Sequence, residues 1–212
     1  MKTKLSILFL LFSMGNVMAD DAKYTETMTK NIALVYKAET TDDLIQAVNM
    51  FNRVGTTEKN KWEPFYYEAF GYIMLANREQ DAVKKDAFLD QAKIAMGRAG
   101  EIKANESEIV ALEGFISMIR VSVDPLTRGQ QYSGLAMQSF DKAVALNPEN
   151  PRALALLARM QFGMAQFFNS STTEACSNAR KALEKFTTFK PESTVAPVWG
   201  KGVAESILKD CK

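Results

Sequence analysis

AMQSFDKAVALNP, residues 136–148, is the stretch whose reading decides the fold. Ala136, Phe140 and Ala143 fall at i, i+4 and i+7, one face of an α-helix. Two small side chains there let a neighbouring helix approach, and Phe140 fills the groove between them. Pro148 cannot continue the helix and forces a turn. The same landmarks recur at a fixed interval. Ala92, Ala136 and Ala179 stand 44 and 43 residues apart, as do Ala104, Pro148 and Pro191. Gly71, Gly114 and Ala158 keep the interval at 43 and 44. A period in the range of roughly 20–50 residues points to stacked supersecondary units, each touching its neighbours and together presenting an extended surface.

Outward from this stretch the pattern is helical throughout. Residues 22–38 carry an apolar stripe through Tyr24, Met28, Ile32 and Val35. Thr41 is expected to cap a second helix that Gly55 ends, and Pro64 opens a third, running to about Ala76. Further helices are expected at about 82–101, from Glu106 to the stop at Asp124-Pro125, and at 128–146, 152–168, 173–188 and 196–210. The fifth is apolar almost all round, as a helix buried between neighbours should be.

These landmarks resemble the tetratricopeptide repeat. The best match is Ala136, Phe140, Ala143 and Pro148; Ala179, Leu183, Phe186 and Pro191 follow with Phe in place of the second Ala. Ala92, Met96, Ala99 and Ala104 lack the Pro, and Ala47, Phe51 and Val54 form the weakest unit. The resemblance implies an all-α fold, a right-handed solenoid of about four helical hairpins plus a C-terminal capping helix, spanning residues 20–212 as one domain. The residues by which the period exceeds the family's are expected in loops at about 77–84, 121–130 and 168–173.

The resemblance also implies a concave binding groove lined by the first helix of each pair. Carried over by alignment, its walls are Phe65, Glu68, Tyr72 and Leu75, then Glu108, Ala111, Phe115 and Met118, then Arg152, Ala155, Arg159 and Phe162. Such a groove is aromatic at one end and cationic at the other, which suits an extended peptide with an acidic end. The expected role is therefore a non-enzymatic protein- or peptide-binding scaffold of the cell envelope. The alternative is a receptor for a small molecule or glycan at the aromatic end.

Composition narrows the chemistry. The chain has no histidine, which removes Ser-His-Asp and Cys-His nucleophiles and His-ligated zinc. Two cysteines cannot make a four-thiolate metal site, and no phosphate-binding glycine loop occurs. No catalytic residue, cofactor or metal ligand is therefore expected. A net charge of +1 without a basic block gives no footprint for nucleic acid.

Residues 1–19 read as a secretory signal. Lys2 and Lys4 precede an apolar run from Leu5 to Phe12, and Val17-Met18-Ala19 suits cleavage before Asp20. A periplasmic or secreted location follows, and no segment of the mature chain is long and apolar enough to cross a bilayer. In an oxidising compartment Cys176 and Cys211 are candidates for a disulfide. They sit on the eighth and ninth helices, where an antiparallel pairing about Pro191 brings them together.

Overall fold

In the computed structural model the described residues are 6–211, with side chains described from Asp21 onward. The expected signal segment, residues 1–19, lies outside the residues whose side chains are described. The fold is all-α: nine helices and no strand among the described residues. They are α1 (Ser6–Lys37), α2 (Thr41–Thr57), α3 (Glu63–Arg78), α4 (Ala82–Ile102), α5 (Ser107–Val123), α6 (Pro125–Leu146), α7 (Pro151–Phe167), α8 (Thr173–Thr188) and α9 (Lys201–Lys209).

Several boundaries have a local cause. The cap of α2 is Thr40, one residue before the expected Thr41. Its hydroxyl accepts from the Asp43 N–H at 3.1 Å, and the Asp43 carboxylate accepts from the Thr40 N–H at 2.9 Å, a reciprocal capping box. Asp81 and Asp124 cap α4 and α6, and Asn150 caps α7 through the N–H groups of Arg152 and Ala153. Pro64, Pro125 and Pro151 stand in first turns, where a missing N–H costs nothing. Gly55 does not end α2. It lies within the helix, and glycine is required there because a Cβ would come within 2.6 Å of the Phe65 ring.

Every helix packs on the next in sequence, and α1, α3, α5, α7 and α9 also pack each on the next of that series. These are the partners of four stacked hairpins with a terminal helix, compatible with a solenoid. One apolar core runs from Tyr24 on α1 to Met160 on α7. At α5/α6 the landmark reading holds physically. Ala136, Phe140 and Ala143 are buried, and a Cβ on Gly114 would stand 2.5 Å from the Phe140 ring. Gly71, in the same phase, instead faces Val48 of the preceding hairpin.

Two expectations are corrected. The expected loop at about 168–173 is present, residues 168–172 being non-helical, but in the two preceding units the long period is not taken up by loops. Only Asp124 separates α5 from α6, and residues 79–81 separate α3 from α4. The extra length lies in the second helices, 21 residues in α4 and 22 in α6 against 16 in α3 and 17 in α5. Nor does the last helix begin at 196. Residues 189–200 are non-helical, and α9 starts at Lys201 after Gly200, whose φ of 105° is a left-handed value that favours glycine.

Candidate functional site

The 189–200 segment decides what became of the expected groove. It crosses the face formed by α3, α5 and α7 and fills it. Tyr67 Oη donates to the Val195 carbonyl at 3.0 Å, and Trp199 Nε1 donates to Tyr66 Oη at 2.9 Å. The Trp199 indole packs on Phe70 and Phe115, with ring centroids 4.9 and 5.9 Å away. Phe189 lies over the Arg152 guanidinium at 4.4 Å, a cation–π contact. Burial pushes the Tyr66 hydroxyl well above its ordinary pKa, and that of Tyr67 likewise, so both stay neutral hydrogen-bonding groups.

Most of the expected groove residues are interior, some beneath this segment and some against α2 and α4. Phe65 is buried beneath Arg98, and Leu75 is buried. Glu68 is buried and ion-paired with Arg98 at 2.7 Å. Tyr72 is half-buried, stacked on Phe88. Phe115 lies under Trp199. Arg152 is 1% exposed, and its Nε and Nη2 bind the Glu108 carboxylate at 2.7–3.0 Å. Burial acts to lower the Arg152 pKa, but hydrogen bonding and charge from Glu108 outweigh it. The net direction is upward and the cation is kept. The correction has two causes. Phe65, Glu68 and Tyr72 face α2 and α4, where they meet Gly55, Asn52, Arg98 and Phe88. Residues 189–200 cover the face presented by Tyr66, Tyr67, Phe70, Phe115 and Arg152.

Met118, Arg159 and Phe162 have a different fate. They converge on a cleft of about 1020 Å³, at the top of the usual range of small-molecule sites, ~300–1,000 Å³. Its walls are the C-terminal halves of α5 and α7, the N-terminal half of α6, and α9 through Ser206 and Ile207, with Asp210 at the α9 C-cap. Three thioethers, Met118, Met160 and Met164, line it. At its mouth stand Leu126 (87% exposed), Phe167 (63%) and Phe168 (67%). Large apolar side chains left in water around one concavity mark an interaction site, whereas singly scattered ones do not.

Two wall positions are glycines inside helices, Gly129 on α6 and Gly163 on α7. A Cβ at either would meet nothing within 4 Å, so packing does not demand glycine there. Each costs its helix about 1 kcal/mol relative to alanine. Gly97, Gly100, Gly134 and Gly202 are equally unconfined away from the cleft, so openness alone marks nothing. What distinguishes this pair is that both lie on walls of one cavity and leave it room.

Cys176 on α8 and Cys211 just beyond α9 form a disulfide, with Cα atoms 5.9 Å apart. It fixes the end of the helix that supplies the cleft's fourth wall. Among the described residues no group of three or more Cys, Asp or Glu is arranged to hold a metal ion, and no helix is long and apolar enough to cross a membrane.

Sequence reading missed the cleft although its pieces were in view. Residues 121–130 read as a turn, which hid Leu126 and Gly129 on a helix face. Phe167-Phe168 directly before the polar run Asn169-Ser170-Ser171-Thr172 was the available signal: two rings at a helix end with no apolar partner in sequence.

No protein-family model and no curated protein matches the chain. Among solved structures it is similar to the HusA haemophore from Porphyromonas gingivalis, with a TM-score of 0.79 and 25% sequence identity over 89% of this chain and 92% of that one.

Proposed function

We propose that this chain is an exported, non-enzymatic binding protein that holds a tetrapyrrole, haem foremost, in the cleft between α5, α6, α7 and α9. The observation that carries the reading is the cleft itself: an apolar cavity whose mouth leaves Leu126, Phe167 and Phe168 in water. Covering one such side chain gains about 1.5–3 kcal/mol, so a flat apolar ligand has much to gain here. The similar solved structure is that of a haemophore, which supports this ligand class. Without histidine, binding energy comes from wall contact, with the thioethers of Met118, Met160 and Met164 as the soft donors beside it. The disulfide and the reading of residues 1–19 as a cleaved signal support a periplasmic or secreted location. The earlier alternative, a small-molecule receptor, is thus preferred, but at the α5–α7 cleft and not at the aromatic end. Peptide capture on the concave face has less support, since residues 189–200 occupy it.

Haem titrated into the processed protein, followed by its Soret absorption, tests this. The unmodified protein should bind at a 1:1 ratio. Gly163→Leu should fill the cleft and weaken binding at least tenfold, while raising folding stability by up to about 1 kcal/mol through helix propensity. Unaltered affinity in Gly163→Leu, or no saturable binding at all, would contradict the proposal.

A further inference from the structure

The cleft carries two charged side chains, and they are of opposite sign. Arg159 comes from the middle of α7, and Asp210 from the C-cap of α9. Both are exposed, and neither is ion-paired among the described residues. The rest of the lining is apolar or uncharged. Two opposite charges that are not ion-paired among the described residues, on the adjoining helix α7 and the C-cap of α9, line one largely apolar cavity, and each acts on a charged ligand with its own sign. A guanidinium takes a carboxylate bidentately, whereas a carboxylate repels one. Asp210 also stands at the negative end of α9, so that edge of the cleft is anionic twice over.

We infer that Arg159 and Asp210 sort ligands by where their charge lies: Arg159 anchors carboxylates on one edge of the ring system, and Asp210 opposes any carboxylate turned toward α9. The preferred ligand class is then a flat apolar molecule with its acidic groups confined to one edge, seated in a single orientation. Asp210 limits affinity in exchange for that orientation. The inference rests on the cleft reading above and specifies which tetrapyrroles the cleft takes.

Protoporphyrin IX and its dimethyl ester differ only in the edge charge, so comparing them isolates it. Binding of each to the unmodified protein, Arg159→Gln and Asp210→Asn is measured by porphyrin fluorescence in one buffer. The unmodified protein should favour the diacid, and added salt should narrow the preference by screening. Arg159→Gln should weaken the diacid by about tenfold and leave the ester unchanged. Asp210→Asn should tighten the diacid by about two- to fivefold, again sparing the ester. A diacid-to-ester ratio that neither substitution moves, or an Asp210→Asn variant that binds the diacid more weakly, overturns this inference alone. If the unmodified protein binds neither compound, the cleft reading falls and this inference with it.

Discussion

Glu108→Ala is expected to cost about 3–5 kcal/mol of folding stability, the loss found when one partner of a buried ion pair is removed. The pair joins α5 to α7 through three hydrogen bonds of 2.7–3.0 Å. It is also central to other contacts. Tyr66 Oη lies 3.5 Å from Glu108 Oε2, Phe189 covers the guanidinium, and a Cβ on Gly200 would come within 3.0 Å of Arg152 Cγ. Removing the carboxylate leaves a buried cation facing aromatic rings with no anion to meet it. The neighbouring hydrogen bonds, Ser107 Oγ donating to the Ala143 carbonyl and Asn150 Nδ2 donating to Ser107 Oγ, cannot offset that, because they involve neither charge. Glu108→Leu combined with Arg152→Met should lose less than either single substitution, since the uncompensated charge is gone. Chemical denaturation of the four proteins measures the cycle. Single losses below 1 kcal/mol would show that the pair does not hold the hairpins in place.

The second large effect is at the disulfide. Replacing Cys176 and Cys211 by serine opens a bridge spanning 35 residues, for which chain entropy gives about 3–4 kcal/mol. The loss should be unevenly spread. α9 has nine residues and buries only Ala204 and Ile207, so little else holds it. Hydrogen exchange should therefore quicken over residues 201–211 and hardly at all in α3. Because Ser206, Ile207 and Asp210 line the cleft, ligand dissociation should quicken with it. Equal protection of α9 in both proteins would show that packing alone fixes this wall.

Helix positions were legible because local signals dictate them: turn residues around Asp124-Pro125 and Pro148, Pro64 in a first turn, and apolar side chains at helical spacing. The Cys176–Cys211 bridge followed from the same local arithmetic. The groove was not legible because its occupant comes from far along the chain. Tyr67 and Val195 meet across 128 residues, and no local pattern announces such a contact. The path of 189–200 did leave a trace. Gly200 argues against a helix running on from 196, and an apolar Val195-Ala196-Pro197-Val198-Trp199 run outside any helix needs somewhere to bury. Glu108 and Arg152 stand 44 residues apart, one period, at matching places in successive units. Their opposite charges in register could have been read as a buried pair across the stack, and not as two groove positions. The cleft was hidden more deeply. Periodicity tells which side chains share a helix face. It does not tell that the face of α6 bearing Leu126 is left without a covering neighbour.

Methyl NMR tests the central claim most directly. A porphyrin ring shifts the resonances of methyl groups lying against it. With methionine, isoleucine and leucine methyls labelled, the account predicts large ligand-dependent shifts at Met118, Met160, Met164, Ile119 and Leu126, and none at Met28, Leu44 or Leu75. Shifts confined to that last group, around the aromatic end of the stack, would contradict it.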